Sequence, residues 1–322
     1  MPVTGRVGVL VMAHGTPQQS GDIASFYTRI RRGRPPSPEQ LAELEQRYAA
    51  IGGLSPLTER TRAQVDAVRS ELDRRAPGHY LVAYGAKHTD PLIEEAAATL
   101  VEAGVDEVIG LVLTPHGSSM GSEEYLTRAG AALAGRSTLR AVPPWYGEPG
   151  LVALLADRVE DALVRVGASC DKADRDQTRY PVVFTAHSLP VRIRDLGDTY
   201  PEQLQESAEL VAAAAGLARW QVAWQSAGRT PDPWLGPDIR DAMRQLAEPG
   251  RGRAEAEVQG VVVCPLGFVT DHLEVLYDLD VEAAAVAGEV GLAFARTASL
   301  NDDPRFIGVL ADVIGATEAR RA

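Results

Sequence analysis

Short apolar runs and longer amphipathic stretches alternate along the chain. Val7–Met12, Tyr80–Gly85, Glu107–Leu113, Leu139–Val142, Pro181–Thr185, Gln221–Gln225, Val258–Cys264 and Leu292–Ala295 read as buried strands. Between them apolar side chains recur three and four residues apart, the helical period. Gly21–Arg32 carries Ile23, Phe26, Tyr27 and Ile30 on one face, until Pro35-Pro36 stop it. Pro38–Ile51 does the same with Leu41, Leu44 and Tyr48, and Gly52-Gly53-Leu54-Ser55-Pro56 breaks it before a third helix, Leu57–Ala76. Further helices are predicted over Pro91–Ala103, Gly121–Ala134, Leu151–Val166, Pro201–Ala215, Pro237–Leu246 and Pro304–Ile314. Strand following helix in this order is the mark of an α/β fold built on parallel sheets with both faces covered. The stretch joining the first two strands is longer than a simple crossover, which makes it a candidate wall of a binding site.

The chain also echoes itself. Its first half opens with VLVMAHGTP and later shows LVLTPHGSS; its second half opens with VVFTAHSLP and later shows VVVCPLGFV. Two similar α/β domains are expected, over residues 1–150 and 151–322, with Pro143–Gly147 as the hinge and Gly167–Arg179 as a polar loop. Ligands of parallel sheets sit beyond the carboxyl ends of the strands. His14, His116 and His187 all fall there. Imidazole can accept a proton near neutral pH or bind a borderline metal ion.

The most distinctive stretch is GFVTDHLEVLYDLDVE, Gly267–Glu282. It predicts a helix capped by Thr270 or Asp271, with Leu273, Leu276 and Tyr277 as its apolar stripe. Glu274, Asp278 and Glu282 then share another face, each four residues from the last. Like charges at this spacing repel by a few tenths of a kcal/mol per pair, and no Lys or Arg stands among them. Such a row either faces water or serves a cation.

Composition narrows the function. The 322 residues carry a net charge of -12, which disfavours a general nucleic-acid binder. An anionic ligand would therefore need a local basic patch, and Arg29–Arg34 is one candidate, since guanidinium grips carboxylates bidentately. The only cysteines are Cys170 and Cys264, too few for a four-Cys iron–sulfur cluster. Cys264, at the end of an apolar strand, reads as a buried inert thiol. No nucleotide-binding G-x-G-x-x-G, Walker loop, G-x-S-x-G elbow or H-E-x-x-H is present. The apolar N-terminus reads as a first strand rather than a signal peptide, and no run is long enough to cross a bilayer; a cytoplasmic, monomeric enzyme is the expectation. From the residues alone the chain is a two-domain α/β protein suited to a metal ion and an anionic ligand.

At these residues the chain resembles the ferrochelatases, which put Fe(II) into a porphyrin. VLVMAHGTP, YTRIRRGRPPSPEQL, RYAAIGGLSPL, FTAHSLP, WQSAGRTPDPWLGPD and GFVTDHLEVLYDLD follow family segments in family order, and the last three are highly specific. The resemblance implies two Rossmann-like, chelatase-type domains with a cleft between them, and a π-type stretch in the acidic helix. It implies that His187 and Glu274 form the facing pair that handles iron and pyrrole protons, with Asp278 and Glu282 continuing an acidic path. His14, Thr16, Arg31, Arg47, Tyr48, Ser55 and Tyr125 would bind the porphyrin, and Lys87, His88 and Trp234 match positions near the cleft with no settled role.

The nearest resemblance is to compact chelatases of monoderm bacteria that use coproporphyrin III in haem biosynthesis, with Fe(II) as substrate and no [2Fe–2S] cluster or other prosthetic group. Four propionates on that substrate suit several Arg and hydroxyl partners. Gln19–Arg34 shows no hydrophobic lip of the kind that protoporphyrin IX enzymes carry. His14 stands where close relatives have a Tyr that ligates the product's metal; imidazole could keep that role with altered strength, or simply bond a neighbouring loop. The alternatives are a protoporphyrin IX ferrochelatase, a chelatase for another metal and tetrapyrrole, and a non-catalytic haem carrier. Transient contact with neighbouring enzymes of the pathway is also conceivable for a soluble chelatase of this kind.

Overall fold

The computed structural model describes residues 5–170, 177–248 and 257–320. The middle of the predicted polar loop Gly167–Arg179 lies outside the described residues. Two compact units emerge, and neither is a single stretch of sequence. The first comprises residues 1–145, 269–273 and 300–322, the second 146–268 and 274–299.

In the first unit β1 (Val7–Ala13), β2 (Tyr80–Ala86), β3 (Glu107–Val112) and β4 (Thr138–Ala141) form a parallel sheet in the order β2-β1-β3-β4. All seven residues of β1 are buried, as expected of a central strand covered on both faces. Three helices join β1 to β2: α1 (Ile23–Ile30), α2 (Pro38–Ala50) and α3 (Leu57–Arg75). Local chemistry starts α2: Ser37 Oγ accepts from the Gln40 N–H, Gln40 Oε1 accepts from the Ser37 N–H, and Pro38 takes the first turn. α4 (Ile93–Glu102) and α5 (Ser122–Leu133) pack on one another and bring Ile93, Leu100, Ala129 and Leu133 onto Leu10, Met12 and Val108.

The second unit repeats the plan. β5 (Val182–His187), β6 (Trp220–Gln225), β7 (Gly260–Cys264) and β8 (Ala293–Arg296) are parallel in the order β6-β5-β7-β8, strand for strand the order of the first sheet. The internal echo is therefore structural: the two Ala-His strands, β1 and β5, hold the same place in their sheets. α6 (Pro149–Ala168) covers β7 and β8, and α7 (Tyr200–Ala214) and α8 (Ile239–Ala247) pack on β6. α6 continues into the stretch expected to begin the polar loop.

The acidic helix carries the π-type stretch that the family resemblance implies, where periodicity alone predicts a plain α-helix. A three-residue turn, α9 (Leu273–Val275), passes into a π-helix over Leu276–Ala283 and returns to α-form in α10 (Ala284–Glu289). Its core stripe is Val275, Leu279, Ala283 and Ala287, all fully buried, and not Leu273, Leu276 and Tyr277, which are only half-buried. The wider i→i+5 turn advances the phase, so that residues four apart, rather than alternately three and four, stay on one face. The last helix, α11 (Pro304–Ala319), packs on α3 in the first unit, where Arg75 reaches Asp312 at 2.6 Å. The sequence-based division at residue 150 had kept that helix with the second half. Among the described residues no helix is long and apolar enough to cross a membrane.

Candidate active site

His187 is the last residue of β5, so its ring leaves the sheet at the carboxyl end. Its neighbourhood is tightly pinned. Tyr200 Oη donates to the His187 carbonyl at 3.1 Å, the Ser188 N–H donates to the Gln225 carbonyl at 2.8 Å, and Ser188 Oγ donates to the Leu235 carbonyl at 2.8 Å. The segment around Trp234 straps this loop from outside: Pro190 bridges Trp234, and the Leu235 N–H meets the Leu189 carbonyl at 2.9 Å. Trp234 Nε1 donates to Thr230 Oγ1 at 3.1 Å, so the structure gives that side chain a role in holding the strap.

The tautomer of His187 follows from its partner. Nδ1 lies 2.6 Å from the Ser188 carbonyl, which can only accept, so Nδ1 carries a proton and Nε2 is turned to Glu274 Oε1 at 3.5 Å. Burial of the ring works against its charged form. Glu274, the Ser188 carbonyl and Asp278 outweigh that and lift the pKa from 6.5 to about 9.

Glu274 is fixed through its backbone. Its carbonyl accepts from Gln225 Nε2 at 3.0 Å, while Gln225 Oε1 accepts from the Thr185 hydroxyl at 2.9 Å. One buried amide thus ties the ends of β5 and β6 to the start of the acidic helix. Within the first unit, the preceding Leu273 N–H donates to Ser55 Oγ at 3.2 Å, and Asn301 holds Asp271 by donating to its carboxylate at 2.9 Å. Gly267 lets the loop after β7 run against β5: its N–H donates to the Thr185 carbonyl at 3.0 Å, and a Cβ there would stand 2.5 Å from Ala186 Cβ.

The acidic row continues from this pair. Asp278 is only 4% exposed and accepts from the Ser226 hydroxyl, so the row is not simply a solvated face. Ser226 occupies the left-handed region at φ 60°, a conformation that costs a non-glycine residue free energy and is retained here where its hydroxyl meets the carboxylate. Glu282 lies 3.5 Å from Arg240 Nη1. The structure therefore gathers His187, Glu274, Asp278 and Glu282 in the second unit.

The residues expected to bind porphyrin lie in the first unit. His14 follows β1, with Nδ1 at 3.0 Å from the Gly15 carbonyl. Its ring packs at 4.7 Å from that of His88 and 6.0 Å from that of Phe26. A cavity of about 380 Å³ opens here, lined by His14, Lys87 and His88 together with Arg29, Arg32 and Arg128 among others. Burial, and then His14, Lys87, Arg128 and Arg29, push the pKa of His88 down to about 3, so it is neutral at physiological pH. Lys87 pairs with Glu124 at 2.7 Å and lies over the Tyr125 ring at 5.0 Å. Buried Thr16 and Tyr48 face each other through their hydroxyls at 3.4 Å. Arg31, just past α1, stacks over Tyr27 at 5.5 Å. Arg47 is half-buried beside Tyr48 on α2. Ser55 Oγ accepts from both Leu57 and Leu273 N–H groups, leaving its own hydroxyl proton to donate.

Residues 6–318 match the ferrochelatase family. The chain belongs to that family. It is 42% identical over 312 residues to the coproporphyrin III ferrochelatase of Bacillus subtilis (strain 168), covering 96% of this chain and 97% of that protein. It is 41% identical over 311 residues to that of Anoxybacillus flavithermus, covering 96% and 95%. Among solved structures, SirB from Bacillus subtilis with Fe3+ superposes with a TM-score of 0.59 at 10% identity, covering 98% of this chain and 96% of that one. CbiX, a terminal enzyme of siroheme biosynthesis, gives 0.54 at 17%, covering 96% and 98%. These two likenesses show the shared chelatase fold.

For a ferrochelatase the geometry at His187 is chemically apt. A nitrogen and a carboxylate oxygen are donors of the kinds that Fe(II) accepts. The sequence did not single out Tyr200, Gln225, Ser226 or Arg240. Of these, Gln225 and Ser226 stood in the quoted WQSAGRTPDPWLGPD segment, immediately after an Ala-Trp strand end, and that was the available signal.

Proposed function

We propose that this ferrochelatase inserts Fe(II) into coproporphyrin III, the substrate in the names of its Bacillus and Anoxybacillus relatives. The observation that carries the chemistry is the His187–Glu274 pair, with Nε2 facing the carboxylate at 3.5 Å. A flat macrocycle hides its nitrogen lone pairs and carries two N–H protons, so insertion needs a bent ring, a delivered metal and a proton acceptor. Binding energy from the remote propionates can drive the bending. Arg31, Arg47, Tyr48, Thr16, Ser55 and Tyr125 supply guanidinium and hydroxyl groups suited to those carboxylates, and His14 offers an imidazole to the product's metal. Lys87 and His88 line the cavity beside His14.

At neutral pH His187 is protonated in the metal-free protein, because its pKa stands at about 9. Fe(II) arriving at Nε2 therefore displaces one proton. When the metal passes to the porphyrin nitrogens, Nε2 is again a base and takes a pyrrole proton. Glu274, Asp278 and Glu282 form the row along which protons leave. Two protons are released for each Fe(II) inserted, which balances the charge of the metal.

The test is anaerobic incubation of the protein with Fe(II) and coproporphyrin III, followed by absorbance. The metalloporphyrin spectrum should appear, and faster than with protoporphyrin IX or sirohydrochlorin. No metallation of coproporphyrin III, or a preference for another tetrapyrrole, would overturn the assignment.

A further inference from the structure

A π-helix seldom extends beyond a single turn, yet here it runs over Leu276–Ala283. It carries Asp278, Asp280 and Glu282, with Glu274 just before it, and like charges so close on one helix repel. So uncommon a form needs its surroundings to hold it. On its inner side Val275, Leu279, Ala283 and Ala287 are buried with Val183 of β5 and Val261 and Val263 of β7. Asp278 accepts from the Ser226 hydroxyl. Asp280, between the two outer members of the acidic row, is held by an arginine.

Arg296 is the last residue of β8. Its Nε and Nη2 donate to the Asp280 carboxylate at 2.7 and 2.9 Å, the planar fork that a guanidinium is shaped to make. Nη1 donates to the Thr297 carbonyl at 3.0 Å and to Ser299 Oγ at 3.2 Å. The backbone is fixed as well. The Arg296 carbonyl accepts from Arg165 Nη2 of α6 at 2.8 Å, and the Thr297 N–H donates to the Val263 carbonyl of β7 at 2.9 Å. The Arg296 side chain is only 14% exposed. A fork anchored on the sheet thus reaches out to the π-helix. Offsetting a carboxylate's charge does not need this geometry, since a lysine does it as a point charge. The fork fixes direction as well as distance.

We infer that Arg296 is a positioning residue for metal insertion: by gripping Asp280 it holds the helix in its wide form, and that form keeps Asp278 and Glu282 in line behind Glu274. Relaxation to the α-form would tighten each turn and rotate every later residue about the helix axis. Asp278 would then swing away from Ser226 and Glu282 would turn further still, while Glu274 stays where Gln225 holds its carbonyl. Arg296 acts through the helix rather than on the reacting atoms. This role rests on the reading that the row serves iron insertion.

Hydrogen exchange of the full-length protein, read by mass spectrometry, tests the grip without substrate. In Arg296→Gln the amides of Leu276–Ala283 should exchange on the order of tenfold faster, as for a lost charged hydrogen bond, while β5 and β7 keep their protection. In steady-state insertion of Fe(II), kcat should fall on the order of tenfold, with the KM for coproporphyrin III held within about twofold. An arginine that only stabilised the fold would lower the unfolding midpoint and leave kcat per folded molecule unchanged. Arg296→Lys, which keeps the charge without the fork, should share the loss. Asp280→Asn should match it, and the double variant should be no worse than either single one, because both remove the same contact. Wild-type kcat in Arg296→Gln or Arg296→Lys, unchanged exchange, or losses that multiply in the double variant overturns the proposal. Should Arg296→Gln fail to fold, Asp280→Asn decides by the same readouts, at a side chain 38% exposed. Failure of the chelatase reading would instead show as no metallation by the wild-type protein, with the exchange result intact.

Discussion

Replacing Glu274 by Gln removes the charge that faces His187 while keeping the side chain's size. The rise of the His187 pKa from 6.5 to about 9 is the net of burial and the partners that outweigh it, and corresponds to about 3 kcal/mol at about 1.4 kcal/mol per pKa unit. At the observed 3.5 Å, opposite unit charges attract by about 1 kcal/mol in a water-like medium and by about 5 kcal/mol at an effective dielectric of 20. Both side chains are about one-third exposed, 36% and 34%, so solvent screening brings the expected contribution to about 1–2 kcal/mol. The sign follows from linkage: a folded-state pKa above the unfolded value stabilises fully below pH 6.5 and is lost as pH rises through about 9. In Glu274→Gln, burial is opposed mainly by the Ser188 carbonyl, and the His187 pKa should fall by about one unit, the shift that corresponds to this energy. NMR titration of the His187 Cε1–H signal measures this directly. Urea unfolding should show the variant about 1–2 kcal/mol less stable at pH 6, with the difference vanishing by pH 10. A His187 pKa that stays near 9 in the variant, or a stability loss equal at both pH values, would refute the reasoning.

Three further substitutions probe the supports of the site. Gly267→Ala puts a methyl 2.5 Å from Ala186 Cβ and should cost about 1–3 kcal/mol in urea unfolding. Ser55→Ala deprives the Leu57 and Leu273 N–H groups of their acceptor and should cost about 1–2 kcal/mol by the same measurement. Arg31→Ala should raise the KM for coproporphyrin III roughly tenfold, as expected for one lost charged hydrogen bond, with a smaller effect on kcat in steady-state insertion assays.

The alternation of strand and helix was legible because each half obeys the parallel α/β pattern, and the repeated Ala-His motif marks both β1 and β5 in the sequence itself. Strand ends marked His187 only as one of three histidines, and spacing marked Glu274 only as one of an acidic row with Asp278 and Glu282; the resemblance to ferrochelatases is what paired the two. That same spacing hid the π-helix from the periodicity, and only the family resemblance implied it. Residues four apart share a face in either helix type, and only the buried stripe Val275–Leu279–Ala283–Ala287 tells them apart. Ties between residues distant in sequence were not legible. Nothing near Ser55 announces that it will accept the Leu273 N–H, and nothing near Arg240 shows that it will reach Glu282. Periodicity reports which face is buried, not which polar groups meet. The return of α11 to the first unit is another such case: its amphipathic pattern suits any apolar surface, and the pairs it makes there, Arg75–Asp312 and His79–Glu318, join residues far apart in sequence.

The most direct measurement compares His187→Ala with the wild-type protein in two assays on the same sample. Fluorescence quenching should show coproporphyrin III binding unchanged within about twofold, because the imidazole acts on metal and protons, while anaerobic Fe(II) insertion should fall on the order of a hundredfold or more. Insertion by His187→Ala at the wild-type rate would contradict the account.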